Sequence, residues 1–214
     1  MSFLTDFFGI TEYTGEVPVC CPFPHHTSTG AEYLESRPSA HVNPEKNLFH
    51  CKACGEGYNE AQFIMKVLGC NYAEMSKIQK CFDNDEDRAE WITSTRLTQS
   101  SKERALSFGI SQAVLEDLDV RTPELQTDTL AFPVFMYDHL VDVRTYNPGG
   151  NPKCRSRIGC PAGLIIPFDK WRDTPKDRWT LICAGEKDMA VARSHGFNAI
   201  TFTGGENALP ILPN

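Results

Sequence analysis

Four side chains near the start of the chain have the types and spacing to hold a metal ion. They are Cys21, His25, Cys51 and Cys54, set in Cys-Pro-Phe-Pro-His-His and, after a gap, in Phe-His-Cys-Lys-Ala-Cys-Gly. Cys20 and His26 stand beside the first pair as alternatives. Thiolate and imidazole ligands suit Zn²⁺, and structural zinc sites close with four of them in a tetrahedron. A C-x-x-C pair brings two thiolates to one ion from a single tight turn, and Gly55 frees the backbone just after it. A redox C-x-x-C would sit in a βαβ setting, which the surrounding segments do not offer.

The elements that must position these residues read as short strands. Val17–Cys20, Ser39–Asn43 and Asn47–Cys51 alternate apolar and polar residues, with a turn at Pro44-Glu45-Lys46. A β unit of this size buries too little surface to hold itself, so a metal staple is expected on physical grounds. Residues 1–15, with Phe3, Leu4, Phe7, Phe8 and Ile10, read as a short helix. Asn59 reads as the N-cap of a helix through Leu68, ended by Gly69, and Tyr72–Phe82 as a second helix. Phe23, Phe49 and Tyr58 are suited either to stacking on bases or to packing within the strands.

Composition sets limits. The chain has 214 residues, 41% hydrophobic and 23% charged, with a formal net charge of -7. That charge argues against strong nonspecific duplex binding and leaves room only for local basic contacts. No run approaches the length of a membrane span, and the N-terminus lacks the pattern of a signal peptide. Nine cysteines without an export signal point to metal binding in a reducing cytoplasm rather than to disulfides. No Walker-type phosphate loop occurs.

Further along, an acidic run at 83–88 reads as a solvated helix start leading into Ala89, Trp91 and Ile92, and residues 93–103 read as a linker. A helical pattern over 104–118 is interrupted at Phe108-Gly109-Ile110, and Ser111 caps its second part. Strands are expected at Leu130–Met136, Leu140–Tyr146 and Gly163–Pro167. The last stretch alternates: strand Trp179–Cys183, helix Lys187–His195, strand Ala199–Phe202, a β-α-β unit with parallel strands. Lys153, Arg155 and Arg157 lie two apart and share one face of an extended segment. Cys154 and Cys160 are too far apart for a tight metal turn, and Cys70, Cys81 and Cys183 read as small packing residues. The fold class is therefore α+β: a small antiparallel zinc-ribbon domain at 1–68, a helical connector at 69–103, a mixed α/β subdomain at 104–178, and a further α/β element at 179–214.

The zinc segment resembles the N-terminal zinc-binding domain of bacterial and phage DNA primases. The matching residues are Cys21-Pro22-Phe23-Pro24-His25, Pro38-Ser39-Ala40-His41-Val42-Asn43 and Leu48-Phe49-His50-Cys51-Lys52-Ala53-Cys54-Gly55. The first Cys and His are separated by three residues instead of two. Leu181-Ile182-Cys183-Ala184-Gly185-Glu186-Lys187-Asp188 resembles the opening of a TOPRIM domain, and Thr203-Gly204-Gly205 the turn after its second strand. Tyr146 with Lys153-Cys154-Arg155 resembles the basic subdomain that precedes TOPRIM in phage primases. The resemblance implies a nucleotidyltransferase of DNA replication that makes RNA primers. It would use structural Zn²⁺ on Cys21, His25, Cys51 and Cys54, catalytic Mg²⁺ near Glu186 and Asp188, and Lys153 and Arg155 on phosphates. The implied partners are a single-stranded DNA template, ribonucleotides, a replicative helicase and a C-terminal primase half, all in the cytoplasm of a bacterial or phage-infected cell. Two departures bear on activity. Ala184 stands where the family has a Glu, and no Asp follows Asp188 to form a D-x-D pair. The chain is thus expected to be the N-terminal part, or a shortened version, of such an enzyme and to be inactive alone. The alternative is a non-catalytic, zinc-dependent module that binds single-stranded nucleic acid or regulates.

Overall fold

The computed structural model describes residues 2–83, 96–123, 128–156, 163–175 and 177–204. The chain divides into two units at the 83/84 junction.

The first unit opens with helix α1 (Phe3–Phe7), where Ser2 and Thr5 form a reciprocal capping box. Its β elements are β1 (Val17–Val19), β2 (His25–His26), β3 (Glu32–Tyr33), β4 (Ala40–Asn43), β5 (Leu48–Cys51) and β6 (Gly57–Asn59). β2 and β3 form a small separate hairpin, and the other four make an antiparallel sheet in the order β1-β4-β5-β6. Alternation decides which side is the core. Ala40, Val42, Phe49 and Cys51 are buried, while His41, Asn43, Leu48 and His50 on the other face are half-buried or exposed.

Helix α2 (Glu60–Leu68) covers the buried face. Asn59 caps it and Gln62 returns a bond to the Asn59 amide, so two otherwise orphaned donors are satisfied. Gly69 ends it in the left-handed region, at φ 62°. Helix α3 (Tyr72–Asp83) packs on α2. The core is aromatic. Phe63, fully buried, meets Phe7, Phe8, Phe23 and Phe49 with ring centroids 5.1–5.7 Å apart. Rings at these separations and tilts gain from edge-to-face contact as well as from burial.

The second unit begins differently from the sequence expectation. Residues 99–103, expected as linker, instead open helix α4 (Gln99–Ser107), whose last part, 104–107, falls in the expected helical pattern. Thr98 caps it, its hydroxyl accepting from the Ser101 amide. Only Ser101 and Ala105 of this helix are buried, so its apolar stripe is too thin to show as a periodic pattern. The acidic run, apart from Asp83, and the Ala89–Ile92 segment after it lie outside the described residues.

Helix α5 (Gln112–Asp117) follows its Ser111 cap as expected. β7 (Leu130–Met136) and β8 (His139–Tyr146) form an antiparallel hairpin, with β9 (Cys154–Arg155) on the far side of β8. β7 lies at the edge, which is where Pro133, lacking an N–H, can be accommodated. Ala131, Leu140 and Val143 form its buried cluster, with Phe135 packed against it. Beyond lie β10 (Ile165–Ile166), helix α6 (Phe168–Arg172), β11 (Leu181–Ile182), helix α7 (Glu186–Ser194) and β12 (Ala199–Phe202). β11 and β12 are parallel across α7, the expected β-α-β unit, and β10 joins β12 antiparallel. The architecture is mixed α/β, with antiparallel sheets except for the parallel β11–β12 pair in the sheet β10-β12-β11. Among the described residues no helix is long and apolar enough to cross a membrane.

Candidate metal centre and charged sites

Four short elements deliver the metal-site side chains of the first unit. Cys21 follows β1, His25 opens β2, Cys51 ends β5, and Cys54 stands in the turn between β5 and β6. That turn closes on itself: the Gly55 amide donates to the Cys51 carbonyl at 3.0 Å, with Gly55 at φ 77°. The ligand atoms of Cys21, His25, Cys51 and Cys54 all lie within 4.8 Å of one another. Of the alternatives left by the sequence, Cys20 and His26 are exposed and outside this cluster, whereas Cys21 and His25 are 3% exposed.

The spacings fit a tetrahedral ion. Zn–S and Zn–N bonds of about 2.3 and 2.0–2.1 Å place neighbouring ligand atoms roughly 3.6–3.8 Å apart. Cys21 Sγ and Cys54 Sγ are 3.9 Å apart, and Cys51 Sγ is 3.6 Å from His25 Nε2. Burial raises the Cys21 thiol well above its ordinary range, and the nearby Cys51 and Cys54 sulfurs add to the rise against the Phe23 amide. Burial also opposes ionisation of Cys51, but the Ser39 hydroxyl and the Cys54 and Ala53 amides outweigh it and hold that thiol below its ordinary value. Without a cation, three close sulfurs cannot all ionise. A bound cation removes that obstacle, because coordination deprotonates the thiols.

A residue that the motif reading did not single out sits directly behind the ligands. The Glu35 side chain is 7% exposed. It accepts a bond from the Cys21 amide at 3.0 Å, another from the Ser39 hydroxyl, and faces His25 Nδ1 at 3.2 Å, close enough for an ion pair but without a straight hydrogen bond. Ser39 Oγ is in turn 3.2 Å from Cys51 Sγ. The signal available in the sequence was only Glu35 four residues before Ser39, with no ligand between them. Phe23, Phe49 and Tyr58 pack on one another: Phe23 meets Phe49 and Tyr58 edge-on at 5.9 and 5.6 Å, and Phe49 stacks with Tyr58 at 6.4 Å.

In the second unit the candidate charged residues part company. Glu186, at the start of α7, is 2% exposed, and its carboxylate accepts from Arg144 Nε at 2.5 Å. Arg144 also donates to Ser156 Oγ at 2.8 Å. Cys154 faces the same carboxylate. Burial first, and then Glu186, push its thiol up to about 11. Asp188 is exposed and pairs with Lys187 at 3.1 Å. Lys153 and Arg155 are both exposed, with Cys154 between them half-buried, and Arg155 donates to the Asn151 carbonyl at 3.2 Å. Arg157, Cys160, Gly205 and Glu206 lie outside the described residues. The basic partner of Glu186 was not foreseen, because Arg144 lies 42 residues upstream on a strand that reads as ordinary β alternation.

Comparison with known proteins bears on the first unit. Residues 11–87 match the CHC2 zinc finger family, the zinc ribbon of DnaG. A DNA primase of Geobacillus stearothermophilus is 44% identical over 57 residues, which is 27% of this chain and 8% of that protein. DNA primases of Listeria monocytogenes and Listeria innocua are each 39% identical over 57 residues, with the same coverage. The N-terminal segment is thus a zinc-binding domain of the DNA primase type. The match spans 8% of the length of these relatives. The crystal structure of the Aquifex aeolicus primase, zinc binding and RNA polymerase domains, is similar at 15% identity with a TM-score of 0.41, covering 94% of this chain and 63% of that one. A likeness of that degree places nothing in the second unit.

Proposed function

We propose that the first unit is a template-binding module of a primer-synthesising enzyme, held together by one Zn²⁺ on Cys21, His25, Cys51 and Cys54. The observation that carries this is the convergence of those four ligand atoms within 4.8 Å inside the segment that matches the CHC2 zinc finger. The ion is structural here, since four protein ligands leave no open position for a reacting group. It fixes the turn between β5 and β6 and the β2–β3 hairpin relative to each other. Single-stranded DNA is the template we assign to it, in the cytoplasm, with a replicative helicase and a C-terminal primase half as further partners.

For the second unit we propose an incomplete TOPRIM-type element. Glu186 and Asp188 are the candidate Mg²⁺ ligands and Lys153 and Arg155 the candidate phosphate contacts. Mg²⁺-assisted transfer needs carboxylates gathered on the ion. Ala184 offers none, and Glu186 is already engaged by Arg144. These two features favour a second reading for the chain by itself, a non-catalytic module that binds single-stranded nucleic acid or regulates.

A primer-synthesis assay with labelled ribonucleotides on a single-stranded template tests both. The chain is expected to give no product, and Ala184→Glu alone is expected not to restore it. Template-dependent RNA that disappears in Glu186→Gln would establish catalysis and reject the second reading. Zinc analysis is expected to give about one equivalent per chain, absent in Cys51→Ser.

A further inference from the structure

We infer that Glu35, braced by Ser39, is a positioning residue of the metal site that sets how His25 presents its ring to the ion. The inference rests on the zinc reading above. His25 Nε2 is the ring nitrogen beside Cys51 Sγ, at 3.6 Å, so a metal would take its lone pair there. The ring proton must then sit on Nδ1, and the group facing Nδ1 is the Glu35 carboxylate, at 3.2 Å. A carboxylate behind a ligating histidine fixes the tautomer and the ring plane and makes the imidazole a stronger donor.

The same carboxylate does more than face one ring. Its other oxygen accepts from the Cys21 amide, and the Ser39 hydroxyl donates to the oxygen that faces His25 while lying against Cys51 Sγ. One buried acid therefore supports three of the four ligand-bearing segments, the third through Ser39. Placing a carboxylate beside three sulfurs adds negative charge where negative charge already collects, which is unfavourable unless its hydrogen bonds compensate. Glu35 reaches this place because the chain folds back between it and His25. β2 and β3 pair His25 with Tyr33, and the turn is closed by bonds between Thr27 and Ala31. The hairpin that starts at His25 thus returns Glu35 to the back of the site.

Zinc retention of the full chain, measured by competition with a chromogenic chelator, and the His25 ring proton, read by nitrogen-15 NMR, test this. The wild type is expected to hold one zinc with the proton on Nδ1. Glu35→Gln is expected to stay folded and to bind zinc about 10–100-fold more weakly, with a shifted Nδ1 proton. Glu35→Asp, which keeps the charge but not the reach, falls between. A Gln variant with wild-type affinity and an unmoved Nδ1 proton overturns the inference and leaves the zinc reading standing. A wild type that is folded and zinc-free overturns both. If Glu35→Gln does not fold, Ser39→Ala decides: it removes the brace and keeps the acid, and a several-fold weaker affinity supports the inference while an unchanged one rejects it.

Discussion

Cys51 and Glu186 are both almost inaccessible, at 0% and 2% exposure, but for different reasons. Cys51 lies among atoms of its own kind. Its sulfur is close to the His25 ring nitrogen and shares a cluster with two other thiols, so the arrangement is complete only when a cation joins it. Glu186 lies against Arg144, which supplies the opposite charge from within the fold. Nothing further is needed to satisfy it. A motif residue whose neighbours leave its chemistry unfinished points outward to a ligand, whereas one whose neighbours complete it is already accounted for by packing.

The largest effect is expected from metal removal. Apparent zinc binding in small zinc modules is worth about 10–16 kcal/mol, more than a unit of this size can replace from its aromatic core. Stripping the metal, or Cys51→Ser, should collapse the amide dispersion of residues 17–55 while leaving the signals of the second unit in place. Retained dispersion in a demonstrably zinc-free chain would show that Phe63 and its neighbours suffice without the ion.

Next comes the pair in the second unit. Arg144→Ala leaves a carboxylate uncompensated at 2% exposure, and breaking a buried pair in this way costs about 3–5 kcal/mol. Replacing both members with apolar residues, Arg144→Met with Glu186→Leu, should recover most of that stability, because the pair itself contributes little net of desolvation. Urea melts of the single and double variants measure it. If the single variant is as stable as wild type and takes up Mg²⁺, Glu186 is a metal ligand waiting for its ion rather than half of a structural pair.

These two sites also show what a sequence can reveal. The clustering of Cys51 and Cys54 with a Cys/His pair was legible, up to the choice between neighbouring Cys20 and Cys21 and between His25 and His26, because two thiolates on one turn must be close in sequence before they can be close in space. The strand Ala199–Phe202 and the helix after Asn59 were legible for a similar reason, since local periodicity and a cap specify them. Glu35 and Arg144 were not. Each acts through a contact made by a fold-back, across the β2–β3 hairpin in one case and between β8 and the start of α7 in the other. Only the first half of helix α4 reads as linker, because polar residues fill Gln99–Glu103 and the cap, Thr98, lies in a stretch without an apolar pattern, whereas its second half from Arg104 was legible.

A smaller and purely local effect separates cap from core in the first unit. Asn59→Ala removes the acceptor for the Gln62 amide and should cost about 1 kcal/mol. Zinc content should not change, because the cap lies on the far side of β6 from the ligand turn in sequence and its side chain serves the first turn of α2. A chain that no longer holds zinc in this variant would mean that α2 and the metal turn act as one cooperative element.

The smallest effect is expected from Lys153 and Arg155. Both are exposed at β9, on either side of the half-buried Cys154 that faces Glu186. Alternation puts the two basic side chains on the same face and turns the thiol to the other. Arg155 already donates to the Asn151 carbonyl, so part of its hydrogen-bonding capacity is taken. If the pair binds the phosphates of single-stranded DNA, replacing both by Ala leaves two phosphates without a counter-charge. Affinity should fall a few-fold, and the plot of log affinity against log salt should flatten by about 1.4, roughly 0.7 for each phosphate no longer neutralised on a single strand. The folded stability should barely change, since exposed charges contribute little. An unchanged salt slope would assign these residues to guarding the exposed edge of β9 against strand pairing, and any DNA binding that remained would then belong to the zinc unit alone.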